Sequence, residues 1–204
     1  MKRTKSINLN RMRKNAVGFQ LKPLVVSVAA FSLMACGGSQ KAQVYSDVRH
    51  CISQNPSLET ECEAAYKTAL NESARTGPKY RSERDCTSEF GQNNCVSSRA
   101  ASGGNWFMPA MAGFMMARAL DNNNRYHSSP LYTSHSYGSP MYGRWTTSDG
   151  RSYGSRRYGS INVGRDAFKA KPIVTRTMSR GGFGSTVAAK SRWSGSQSRG
   201  GWGG

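Results

Sequence analysis

The sequence predicts a mostly α-helical fold: a small disulfide-stabilised helical unit with one apolar helix, the remainder largely disordered. Three observations carry that prediction. ETECEAAYKTALNESAR (59–75) repeats apolar residues at helical spacing, and four cysteines between 51 and 95 bracket it. Glycine, serine, tyrosine and arginine then crowd the C-terminal half, where few aliphatic side chains offset the entropy of ordering the backbone.

Residues 1–35 read as a lipoprotein signal peptide. Lys2, Arg3, Lys5, Arg11, Arg13, Lys14 and Lys22 precede the apolar run LVVSVAAFSLMA at 24–35, with no acid among them. That run is shorter than the roughly 20 residues a bilayer span requires. Leu33-Met34-Ala35-Cys36 resembles the bacterial lipobox, which implies lipidation of Cys36; the alternative is an uncleaved anchor helix. Gly37 stands where an aspartate would retain such a protein in the inner membrane, so the resemblance implies an outer-membrane protein facing the periplasm. Residues 36–50 are expected to be a short tether.

Residues 51–100 form the four-Cys helical unit, with eight basic and eight acidic residues between 41 and 100. Cys51, Cys62, Cys86 and Cys95 suit two disulfides in an exported segment. Four cysteines allow three pairings. Nested and local pairing (51–62, 86–95) both remain open, and the rhyme of DVRHC with SERDC favours the local one. Each short loop would contribute about 3 kcal/mol. Zinc is the alternative, but the close C-x2-C spacing of a structural site is missing. In the 59–75 helix, Cys62, Ala65, Tyr66, Ala69 and Leu70 share a face, Thr60 and Glu63 suggest a capping box, and Gly77-Pro78 is the stop. Glu59, Glu61 and Glu63 suit the helix dipole better than catalysis. A second helix over 82–90 would be capped by Ser82 and ended by Gly91.

NWFMPAMAGFMMARAL (105–120) is expected to be an apolar docking helix. It is too short to span, and Arg118 interrupts it. Trp106, Phe107, Met111, Phe114 and Met115 are its docking residues. They would pack on the stapled unit as its missing core, on a partner, or on the bilayer surface; copper(I) binding by the methionines is a further alternative.

Residues 121–204 read as a basic, disordered tail. From 101 to 204 there are fourteen basic residues against Asp121, Asp149 and Asp166, a large part of the formal charge of +18. Tyr-Gly pairs begin at Tyr137, Tyr142, Tyr153 and Tyr158, and RGGFG begins at Arg180. Ile161–Val163 and Ile173–Thr177 are β-prone but too isolated for a sheet. Arginine interleaved with aromatics suits single-stranded nucleic acid, yet an exported chain meets little of it. The same chemistry suits anionic lipid headgroups or surface polymers.

KRTKSI (2–7), the lipobox, RTGPKY (75–80), the cysteine pairs, WFMPAMAGFMMARAL and RGGFG (180–184) together resemble an uncharacterised family of enterobacterial lipoproteins, a domain of unknown function. The resemblance implies envelope localisation and transfers no site residue. His50, His127 and His135 lack an evident acid or nucleophile partner, so no catalytic, cofactor or metal residue is assigned. The expected function is that of a non-enzymatic envelope lipoprotein. It would bind the membrane through its anchor and act on an envelope protein or anionic surface polymer, with polyanion or nucleic-acid binding through the tail as the alternative.

Overall fold

The computed structural model describes residues 39–99, 103–118 and 125–196. In chain order the elements are β1 (Ser39–Tyr45), α1 (Val48–Gln54), α2 (Glu59–Thr76), α3 (Glu83–Phe90), β2 (Cys95–Arg99), β3 (Asn105–Pro109), β4 (Gly113–Arg118), β5 (Tyr126–Leu131), β6 (Arg144–Thr146), β7 (Ser152–Ser155), β8 (Gly159–Gly164) and α4 (Gly182–Ser196). The fold is mixed α/β and carries three sheets: one of four strands in the order β5-β4-β1-β8, and the two-stranded pairs β2-β3 and β6-β7. This overturns the mostly α, largely disordered expectation.

The expected tether contains the organising strand. β1 runs antiparallel to β4 on one side, with Val44 opposite Met115, and to β8 on the other, with Ala42 opposite Ile161. The Ile161–Val163 segment that looked too isolated for a sheet is therefore an edge strand whose partner lies more than a hundred residues upstream. The expected tail is likewise ordered from 125 to 196.

The docking helix is corrected to two strands, β3 and β4, joined at 110–112. A run buried on two faces has no polar alternation, and its periodicity cannot separate helix from strand. Phe114 and Met116 face a cluster with Tyr45, Cys51, Cys62, Ala65 and Ala69. Met115 and Ala117 face the opposite cluster with Val44, Leu131, Trp145 and Val163. Gly113 is required by close approach, because a Cβ there would stand 2.6 Å from the Tyr45 carbonyl oxygen.

Small residues let α2 lie close on the sheet: its buried positions are Cys62, Ala65, Ala69, Ser73 and Thr76, while Leu70 is 43% exposed. The capping box does not form. A single turn at Pro56–Leu58 runs directly into α2, and its N-cap, Leu58, makes no side-chain bond. At α3, by contrast, the Ser82 side chain accepts from the Asp85 N–H at 3.1 Å, and Gly91 ends the helix at φ +94°. The disulfides are Cys51–Cys62, tying α1 to α2, and Cys86–Cys95, tying α3 to β2.

On the other face, the β6–β7 hairpin inserts Trp145, fully buried, with its indole N–H donating to the Arg157 carbonyl at 2.8 Å. A third core gathers Tyr80, Cys86, Phe90, Tyr132, Met141, Phe183 and Val187, and so packs α4 against α3. Among the described residues, no helix is long and apolar enough to cross a membrane.

Candidate functional site

Two adjoining features offer a place for a ligand. The first is a cleft of about 500 Å³ between the end of α3, the loop around 136–140 and the start of α4. Its position follows from a buried carboxylate. Glu89, 5% exposed, accepts from the Tyr80 hydroxyl on Oε2 and from the Gly184 N–H on Oε1 at 3.0 Å. An acid thus satisfies an orphan donor of α4 and complements its dipole from a segment 95 residues away. Burial and the Glu89 carboxylate together hold the Tyr80 phenol far above its ordinary pKa. The RGGFG motif gains a physical reading here. Gly181 turns the chain at φ +82°, and a Cβ on Gly184 would stand only 3.2 Å from Glu89 Oε1 and Pro140 Cδ. The loop across the cleft is set by short-range bonds: the Ser136 N–H donates to Ser134 Oγ at 3.0 Å, and the Ser139 N–H to the Ser136 carbonyl at 3.0 Å.

The second feature is a band of exposed aromatic and basic side chains on that same loop and on the β6–β8 region. Tyr137, 86% exposed, stacks on Tyr142 with centroids 4.4 Å apart. Arg156 reaches His135 Nε2 at 2.9 Å; a guanidinium can only donate, so the imidazole accepts and carries its proton on Nδ1. The Arg156 N–H donates to the Gly143 carbonyl at 2.8 Å, which ties the band to the Tyr142 turn. Beyond Arg157, Tyr158 packs edge-on to His50 at 5.1 Å and tilts against Trp145 at 5.7 Å. His135, Tyr137, Tyr142, Arg156, Arg157 and Tyr158 include no acid.

Other polar groups are absorbed by structure. Ser46, Asp47 and His50 are the residue types of a hydrolytic triad; they cap α1, and the Ser46 Oγ also lies 3.1 Å from His50 Nδ1. The Asp47 carboxylate accepts from the His50 N–H at 3.0 Å and from the Ser46 hydroxyl at 2.8 Å, and the Ser46 N–H donates to His50 Nδ1 at 3.1 Å. Those bonds hold the Asp47 carboxyl below its usual range. Lys171, its side chain largely covered, meets Glu72 Oε1 at 3.5 Å and donates to the Ala167 carbonyl at 2.8 Å. Desolvation nevertheless pushes the Glu72 carboxyl up, outweighing Lys171. Lys79, 5% exposed, donates to the Val174 carbonyl at 2.6 Å and lies 4.4 Å from the Trp106 ring centre; its burial lowers its pKa.

The residues singled out from sequence fall in different places. Cys36 and Leu120 lie outside the described residues. Phe114 and Met115 are fully buried on opposite faces of the sheet, Met111 packs with the Phe114 cluster, and Phe107 packs against the third core. Trp106 covers Lys79. Phe114 and Met111 thus pack on Cys51, Cys62, Ala65 and Ala69 of the stapled unit, while Trp106 and Phe107 are partly buried. Among the described residues, no group of three or more His, Cys, Asp or Glu side chains could hold a metal. Sequence reasoning marked the Tyr-Gly phrases and RGGFG but missed Glu89, whose partners are fixed only by tertiary packing.

The family model described as "Protein of unknown function (DUF1190)" matches residues 39–194. A UPF0441 protein of Klebsiella pneumoniae subsp. pneumoniae is 37% identical over 206 residues, covering 94% of this chain and 92% of the relative. UPF0441 proteins of Yersinia enterocolitica and Sodalis glossinidius are 36% and 39% identical, covering 94% and 92% of this chain and 92% of each relative. No solved structure matches.

Proposed function

We propose a role for this chain from the premise that it belongs to the DUF1190 family, proteins of unknown function: it is a lipid-anchored, non-enzymatic accessory protein of the cell envelope that binds an anionic surface polymer. The observation that carries the binding half is the ordered band of Tyr137, Tyr142, His135, Arg156 and Arg157. Fixed cations beside exposed rings attract a polyanion and present contact area that loses little side-chain entropy on binding. The anchoring half rests on the resemblance of Leu33–Cys36 to a lipobox, and Gly37, standing where an aspartate would signal inner-membrane retention, supports an outer-membrane anchor.

The test has two arms. Labelled palmitate is expected to enter the wild-type protein and not Cys36→Ala, and equal labelling of both would sink the anchor. In co-sedimentation with the insoluble cell-wall polymer and with lipopolysaccharide, Arg156→Ala/Arg157→Ala should release the protein at lower salt than wild type, because fewer counterions are displaced on binding. An unchanged salt profile would sink the polymer face.

A further inference from the structure

We infer that the cleft at the start of α4, with the tyrosine pair at its lip, is a binding site for an acidic saccharide: a chain of hydroxyl-bearing rings carrying a carboxylate or phosphate. The inference rests on the anionic-polymer reading and specifies the polymer's chemistry.

The cleft floor is not an anion hole. Glu89 already takes the Gly184 N–H and the Tyr80 hydroxyl, so the dipole end of α4 is occupied by a buried carboxylate that would repel a second one. Around Glu89 the lining is hydroxyl-rich: Ser88, Ser136, Ser139 and Ser185, with Pro140 and Arg180 beside them. Ser88 and Ser185 donate to the Asp85 and Gly181 carbonyls at 2.8 and 2.7 Å and so accept from a ligand hydroxyl. Ser139 Oγ, which accepts from the Met141 N–H at 3.3 Å, is left to donate to one. Together they match the reciprocal hydrogen bonding of sugar hydroxyls. The ligand's charge must therefore sit at the rim. Arg180, exposed and in no ion pair with a described acid, lines the cleft there, and Arg156 lies beyond the tyrosines.

Tyr137 supplies the second half of the argument. Its flanking residues Ser136 and Gly138 line the cleft, while its ring is held on Tyr142 at an interplanar angle of 29°. Stacking fixes one face and leaves the other open, as the 86% exposure requires. A rigid aromatic face beside hydroxyl donors suits the C–H face of a pyranose, and a volume of about 500 Å³ lies within the range of small-ligand sites. A nucleic acid would use the ring and the arginines but has no need of a serine-lined cleft, so it is the competing outcome.

The test is equilibrium binding to the full chain in a polyoxyethylene detergent, which itself carries no sugar. The probes are tetragalacturonate, its methyl ester, a phosphorylated glucosamine disaccharide and an oligothymidylate. Tetragalacturonate or the phosphorylated disaccharide should bind, the one that binds tighter identifying the charged group, and the methyl ester should bind about tenfold more weakly than tetragalacturonate, the order of one lost charge-assisted contact. Tyr137→Ala and Arg180→Ala should each weaken saccharide binding about tenfold, whereas Tyr137→Phe, which keeps the ring, should not. Both side chains are exposed, so neither change threatens the fold. Oligothymidylate binding as tightly as either saccharide, or saccharide binding indifferent to Tyr137→Ala and Arg180→Ala, overturns the saccharide site and leaves the anionic-polymer reading standing. Failure of every charged probe overturns both.

Discussion

Glu89 is the single side chain on which the arrangement around the cleft turns. It is buried, it accepts from both the Tyr80 hydroxyl and the Gly184 N–H of α4's first turn, and Ser134 Oγ donates to its carbonyl. Glu89→Ala leaves a buried hydroxyl and a buried amide without partners, at about 1–3 kcal/mol each. The expected loss is about 3 kcal/mol in urea denaturation; Glu89→Gln, which keeps acceptor and volume, should cost less. A loss below about 0.5 kcal/mol for Glu89→Ala would show that water replaces the carboxylate. At this scale the sequence was legible at some local caps and stops, though the equally local Thr60–Glu63 capping box does not form. Ser82 caps α3 and Gly77 ends α2, as capping and stop rules predict. Glu89 was illegible because its acceptor role is completed from residue 184.

The elements show the same division. The helical period of 59–75 survives in the structure because α2 buries one face only. β4 buries both faces, so its sequence resembles any short apolar run. The glycine within it is the feature that separates strand from helix. Gly113 lets β4 approach the Tyr45 carbonyl at a distance no Cβ tolerates. Gly113→Ala is expected to push β4 from β1 and cost about 1–3 kcal/mol, read as a lower melting temperature with the disulfides intact. A neutral outcome would mean that the two strands shift apart freely. Such a shift is opposed on both sides, by Phe114 against Tyr45 and by Met115 against Val44.

For the molecule as a whole, order in a glycine- and serine-rich half depends on aromatic side chains taking the place of aliphatic ones. Tyr80, Phe90, Tyr132, Trp145 and Phe183 are buried anchors spread from 80 to 183. Composition counted the missing leucines and isoleucines and could not show that Tyr80, Phe90, Tyr132 and Phe183 converge on one core while Trp145 fills another. The same economy sets an alkaline limit. Desolvation is the largest cause holding the Tyr80 and Tyr132 phenols far above their usual range and pushing Tyr153 up to about 12. Above about pH 10 the unfolded chain sheds protons that the folded chain keeps, so stability falls as pH rises. Melting temperature should therefore decline steeply there, with tyrosinate absorbance from these rings appearing only on unfolding. Tyr153→Phe should make the decline shallower, and an unaltered slope would remove Tyr153 from the account. The position of β1 has a mechanical consequence as well. On the proposed anchor at Cys36, only Gly37 and Gly38 separate the acylated residue from the first residue of the strand that holds the main sheet together. Three residue steps of extended chain reach at most about 10 Å. On that proposal the leash would hold the folded body close to its anchor, and a pull on the proposed polymer would be delivered through β1, an inner strand of the main sheet.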